Sequence, residues 1–268
     1  MFGCGNSINI NSSDGANKNG QGSITNKADS TYQALLELAD WQFKNNEFRK
    51  AQSSYQDATK LKPQDQHPKD QLSAIAKALD GITKKGRPLY NTCATCHGQK
   101  AEGIQALGAP ALGDQEPYYL VQQLNNFRTK KRGVHEKDVY GSQMVAFAKT
   151  LDSDGINDVI AYIKTMPSPK NEITIEGGDI EQGKNYYNMI CGACHGTGAV
   201  GIKALFSPRL VGLQDWYLER QLNNFRAGIR GKEAGDTYGA QMQQIAEAIP
   251  DDQTVKDIIA YINSLQAE

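Results

Sequence analysis

The chain has 268 residues, enough for two or three domains, and 29 Lys+Arg against 30 Asp+Glu leave a net charge of −1. That balance excludes a general pull toward nucleic acid, and no run of some 18 apolar residues offers a membrane-crossing helix. With 39% hydrophobic residues, the polypeptide alone brings modest apolar surface to a core of this size.

Residues 1–30 begin Met-Phe-Gly-Cys-Gly-Asn and continue in Asn, Ser, Gly and Gln, the composition of a flexible polar tether. The Gly-Cys pair resembles the start of a processed bacterial lipoprotein with Cys4 as the acylated residue; the alternative is a plain thiol in a tail. Acylation would tie the chain to a membrane without a spanning helix, its only expected membrane contact. In residues 31–82, Leu35, Leu38, Ala39, Ala51, Tyr55, Ala58 and Pro63 fit the 34-residue tetratricopeptide pattern, with Gln42 where an aromatic is usual. The segment therefore resembles one such helical hairpin plus a capping helix. A single unit cannot bury its apolar face alone, so the hairpin either docks on the rest of the chain, a second copy or a partner protein, or serves as a spacer.

Next come two CxxCH motifs, Cys93-Ala-Thr-Cys96-His97 and Cys191-Gly-Ala-Cys194-His195. Two cysteines at this spacing can form thioethers with the vinyl groups of one haem, and the adjacent imidazole can ligate its iron. A thioredoxin-like CxxC needs no histidine after it, and a zinc ribbon wants its cysteine pairs roughly 15–20 residues apart. Two covalently attached haem c groups are the expected cofactors. Their attachment outside the bacterial inner membrane implies a periplasmic location.

A shift of 98 overlays the chain on itself. Cys93 falls on Cys191, Pro110 on Pro208, Gln123-Leu-Asn-Asn-Phe-Arg128 on Gln221-Leu-Asn-Asn-Phe-Arg226, and Tyr140-Gly-Ser-Gln-Met144 on Tyr238-Gly-Ala-Gln-Met242. Residues 83–166 and 179–268 are thus two copies of one domain, joined by a linker at 167–178. Leu120, Leu124 and Phe127 recur at helical spacing, as do Ile156, Val159, Ile160 and Ile163, with counterparts in the second copy. Asp251 or Asp252 caps the last helix. The fold class is all-α.

Met144 and Met242 are the methionines that match between copies, each 47 residues past its haem histidine. They are the candidate sixth ligands, and a thioether opposite imidazole raises the reduction potential relative to two histidines. Core packing is the alternative role. His67 and His135 read as surface residues, which leaves no histidine for a separate copper or zinc site. The ring of each axial histidine needs an acceptor for its other nitrogen, and the carbonyls of Pro110 and Pro208 are the candidates. Arg128, Arg226, Tyr140 and Tyr238 are candidate partners of haem propionates; for the tyrosines, core filling is the other option.

The twin CxxCH domains and the segments Tyr119-Leu-Val-Gln-Gln-Leu-Asn-Asn-Phe127 and Tyr217-Leu-Glu-Arg-Gln-Leu-Asn-Asn-Phe225 resemble cytochrome c4, a bacterial dihaem class I cytochrome. The resemblance covers residues 83–268. It implies two His/Met haems with propionates facing a pseudo-two-fold interface, and electron shuttling from a quinol-oxidising complex to a terminal oxidase or reductase. Gln143 and Gln241 depart from it where members often carry prolines, and the N-terminal extension has no counterpart. The competing functions are a dihaem peroxidase-like enzyme with one open iron, and a redox sensor docked through the hairpin. Residues 83–169 carry net charge +3 and residues 170–268 net −4, a bias that could steer two different redox proteins.

Overall fold

The structure, a computed structural model, describes residues 22–167 and 172–265, with side chains from residue 28. Cys4 lies outside the described residues. Helices dominate, and among the described residues no strand forms beyond the isolated bridges Ile104–Ala109 and Ile202–Ser207. The described residues divide into two compact units between Ile75 and Ala76.

The first unit pairs α1 (Gly22–Lys44) with α2 (Phe48–Leu61). Asn46 makes the turn at φ 61°, a left-handed conformation that asparagine tolerates. Tyr32, Ala39, Ala51, Tyr55 and Ala58 form the buried seam. Gln42, the residue that departs from the aromatic pattern, is buried and accepts a hydrogen bond from Ser54 Oγ at 2.9 Å. Tyr55 donates to Asp40, and Tyr32 to Asp65. The tether expected through residue 30 ends earlier, because α1 already begins at Gly22. The helix can extend this far because its later turns are anchored, here by Asp29 pairing with Lys62.

A second departure concerns α3, which runs unbroken from His67 to His97. The expected capping helix and the first helix of the haem domain are one element, so the boundary expected at 82/83 falls inside it. Gly81, Gly86 and Pro88 all lie inside the helix, which passes through them without a break. The i,i+4 pair Asp80–Lys84 supports that stretch.

In the second unit, lobe 1 comprises the end of α3 with α4 (Pro117–Arg128), α5 (Val139–Ala148) and α6 (Ser153–Ile163). Lobe 2 repeats this with α7 (Ile180–Tyr186), a π-helical turn at Tyr187–Cys191, α8 (Gly192–His195), α9 (Asp215–Arg226), α10 (Thr237–Glu247) and α11 (Asp252–Ser264). The apolar stripes on α6 and α11 are buried as their spacing requires. Asp152 and Asp251 accept hydrogen bonds from the backbone N–H groups of Gly155 and Thr254, capping these helices. The linker segment is fastened at Thr174 and Ile175, whose N–H groups donate to the buried Asp215 carboxylate.

Each lobe closes where its first helix crosses its last. Gly86 meets Asp158 and Tyr162, and Gly183 meets Asp257 and Ile258. A Cβ on Gly183 would lie 1.8 Å from the Asp257 carbonyl oxygen, so any side chain forces α7 and α11 apart. Gly183→Ala is expected to cost about 1–3 kcal/mol, the range for overpacking a tight contact. Gly81→Ala, with nothing within 4 Å of its Cβ, should be neutral or stabilising. Thermal unfolding of the two variants checks the contrast; equal midpoints would show that the crossing is not tight. Beside each crossing, Tyr90 and Tyr187 donate to the carbonyls of Gly98 and Gly196, both at 2.7 Å, fixing the turn after each CxxCH.

Candidate functional site

His97 and His195 end α3 and α8 and are buried. His97 Nδ1 lies 2.7 Å from the Pro110 carbonyl oxygen and His195 Nδ1 lies 3.0 Å from that of Pro208. A carbonyl only accepts, so Nδ1 carries the proton and Nε2 keeps its lone pair for a metal. Burial lowers both imidazole pKa values despite the hydrogen bond that opposes it, which favours the neutral ligand form. The carbonyls of Pro110 and Pro208 thus face the two imidazoles.

One continuous cavity of about 320 Å³ runs past both CxxCH segments. Cys93, Cys96, His97 and Met144 line it from lobe 1; Cys191, Cys194, His195 and Met242 line it from lobe 2. Each methionine sits on a short helix whose N-terminus is capped by a buried aspartate, Asp138 for α5 and Asp236 for α10. Leu120, Phe127, Val159 and their counterparts Leu218, Phe225 and Ile258 supply apolar walls. One cavity with apolar walls is thus faced by a histidine, a methionine and two cysteines from each lobe.

The polar end of the cavity contains a feature absent from the expectations. Arg132 and Arg230 are buried and cross between lobes. Arg132 donates to Gln123 Oε1 of its own lobe and to Tyr217 Oη and Gln221 Oε1 of the other, at 2.8, 3.2 and 2.9 Å. Arg230 mirrors it, donating to Gln221, Tyr119 and Gln123 at 2.7, 2.9 and 2.8 Å. Nε of Arg132, Arg220 and Arg230 is buried without a hydrogen-bond partner, and among the described residues no carboxylate lies within ion-pair distance of these guanidinium groups. Buried cations normally demand acidic partners, so this cluster suits the two carboxylates carried by each haem. Burial works to raise the Tyr217 phenol, but Arg132, Arg230 and Arg220 outweigh it and hold its pKa below the ordinary tyrosine value.

Arg128 and Arg226, the arginines expected at the propionates, do not line the cavity. They turn away from the cavity: Arg128 donates to Asn125 and the Leu151 carbonyl, and Arg226 to Asn223 and Asp252. Both stand at the last turn of their helices, one residue past the inward-facing Phe127 and Phe225. Tyr140 and Tyr238 line the cavity but are 44% and 38% exposed, so neither fills a core. Arg132 and Arg230 were discoverable, since they too coincide under the shift of 98.

The lobes also lock each other's backbone. Ala111 N–H, one residue past Pro110, donates to Gln214 Oε1 at 2.8 Å; Arg209 N–H, one past Pro208, donates to Gln115 Oε1 at 3.2 Å. The glutamine amides return hydrogen bonds to the Glu102 and Arg209 carbonyls at 2.9 and 3.0 Å.

Comparison with known proteins agrees with this architecture. The cytochrome c family model matches residues 83–167 and again 180–266. A thiosulfate dehydrogenase electron acceptor of Stutzerimonas stutzeri is 32% identical over 68% of this chain and 85% of its own length. Cytochrome c4 of Pseudomonas aeruginosa is 30% identical over 73% of this chain and 92% of its own. The solved cytochrome c4 of Acidithiobacillus ferrooxidans superposes with a TM-score of 0.52 at 26% identity, over 64% of this chain and 98% of that one. Two tandem domains of this kind carry two covalently bound haem c groups. The chain belongs to the cytochrome c family, as a dihaem member similar to cytochrome c4.

Proposed function

We propose that this chain is a periplasmic electron shuttle that takes electrons from a quinol-oxidising complex and delivers them to a terminal oxidase or reductase. In this reading Cys93, Cys96, Cys191 and Cys194 form the thioethers, His97 with Met144 and His195 with Met242 fill the axial positions, and no substrate site is left open. The supporting observation is the convergence of both His/Met pairs on one continuous cavity. When bound, each haem supplies a one-electron iron couple. The protein's part is to fix both axial side chains on rigid helices, exclude water and pair the buried guanidinium groups with propionates. A sulfur-compound dehydrogenase is a further donor class, suggested by the name of the Stutzerimonas relative. Acylation of Cys4 would keep the shuttle at the membrane.

The test is a ferric spectrum followed by rapid mixing with quinol-oxidising membranes. Low-spin signals from both haems, the weak far-red band of methionine–iron bonding and rapid reduction of both haems support shuttling. High-spin iron with peroxide turnover would replace it with the peroxidase-like reading.

A further inference from the structure

The charged residues lining the cavity are matched between the copies with one exception. Arg132 corresponds to Arg230 and Asp138 to Asp236, but Arg220 on α9 corresponds to the neutral Gln122 on α4. The exception does not stay in its own lobe. Arg220 Nη2 donates to the Gly108 carbonyl at 2.5 Å, and its guanidinium lies 4.4 Å from the centre of the Tyr140 ring. Trp216 and Tyr217 of its own helix flank it at 5.0 and 5.4 Å. Gly108 is two residues before Pro110, which orients His97, and Tyr140 is one helical turn before Met144. The cation is therefore set beside both axial segments of lobe 1.

The equivalent place in lobe 2 is filled by an apolar ring. Gly108 corresponds to Phe206, which stacks on Tyr238 with centroids 4.9 Å apart. Lobe 1 leaves no room for a side chain here: a Cβ on Gly108 would come within 2.3 Å of Tyr140 and 2.7 Å of Arg220, although Phe206 holds a similar backbone conformation in lobe 2. The pairs Gly108/Arg220 and Phe206/Gln122 are thus two alternative fillings of one site, one cationic and one neutral. Among the described residues no carboxylate lies within ion-pair distance of Arg220, and rings and protein backbone hold it out of full solvent contact. Glu102 and Glu116 also lack acidic counterparts in lobe 2, where Val200 and Gln214 stand, but neither lines the cavity and solvent screens both.

We infer that Arg220 makes lobe 1 the higher-potential half, so that the first electron to enter the protein rests beside His97 and Met144. The inference rests on the His/Met reading proposed above. A fixed positive charge in a low-dielectric site favours the reduced, less positive iron, and it acts most on the nearer centre. Electrons entering by either lobe would collect in lobe 1, which gives the duplicated chain a direction its symmetry lacks.

Redox titration of the intact dihaem protein tests this. The variants Met242→His and Met144→His assign the midpoints, because each substitution depresses the potential of its own lobe. The expected result is that Met242→His leaves the higher midpoint in place and Met144→His leaves the lower one; the reverse assignment overturns the inference. Arg220→Gln should move the first-electron equilibrium toward lobe 2 by about tenfold, ~59 mV for a one-electron couple, while Arg220→Lys keeps part of the gap. Equal shifts in both lobes, or none, would show that Arg220 is structural only. Should neither methionine variant move a midpoint, the ligand assignment itself fails and this inference falls with it. The wild-type assignment alone decides the question if Arg220→Gln does not fold.

Discussion

A chain with Cys191 and Cys194 both changed to alanine should be isolated with one covalent haem instead of two and with a largely unfolded second lobe. The lobe 2 core of Leu218, Phe225, Ile258 and Ile262 opens directly onto the cavity. Loss of the group that fills this space leaves apolar walls facing a void, and the penalty grows by about 24 cal/mol per Å³ of residual cavity. Lobe 1 has its own core of Tyr90, Leu120, Val159, Ile160 and Ile163, so its low-spin spectrum should persist. Haem-to-protein ratio and helical circular dichroism measure both outcomes. Two retained haems, or an unchanged dichroism spectrum, would contradict the assignment of these cysteines.

The second large effect is expected at the arginine pair. Replacing Arg132 and Arg230 by leucine removes six hydrogen bonds that knit Gln123, Gln221, Tyr119 and Tyr217 across the lobes. Each polar partner left buried and unsatisfied costs about 1–3 kcal/mol, so the unfolding midpoint should fall steeply. The same variant should lower both reduction potentials together, because two cations leave the neighbourhood of both irons. That joint decline separates this pair from Arg220, whose removal acts on one lobe. A destabilised variant with unaltered potentials would mean that these guanidinium groups do not face the propionates.

Much of the cavity lining was readable as sequence because covalent haem attachment imposes a fixed motif and the duplication repeats the rest in register. CxxCH, the proline 13 residues later and the methionine at 47 recur in register, and the structure gathers them around one cavity. The repeat could not tell Arg128 from Arg132, since both recur at 98. Which one turns inward depends on where α4 ends: Arg128 is still helical and follows Phe127 round to the surface, while Arg132 lies in the turn beyond. Conversely, the one functional asymmetry is where the overlay fails, at Gly108/Phe206 and Gln122/Arg220. The expected boundary at 82/83 falls inside α3, which carries Gly86 and Pro88 without ending. In the fold, Gly86 is needed for the approach of α6. The interlobe glutamines were hidden for a different reason: Gln115 and Gln214 are 99 residues apart and slip past a register of 98.

Those two side chains bear on how the doubled molecule can evolve. Each completes the hydrogen bonding of a peptide that belongs to its twin, one residue from the carbonyl steering the twin's iron ligand. A half cut free would carry a dangling amide beside its own metal centre and a stranded glutamine at its flank. Duplication has become mutual custody: each half has its own core, but alone it loses the neighbour that finishes the hydrogen bonding beside its histidine.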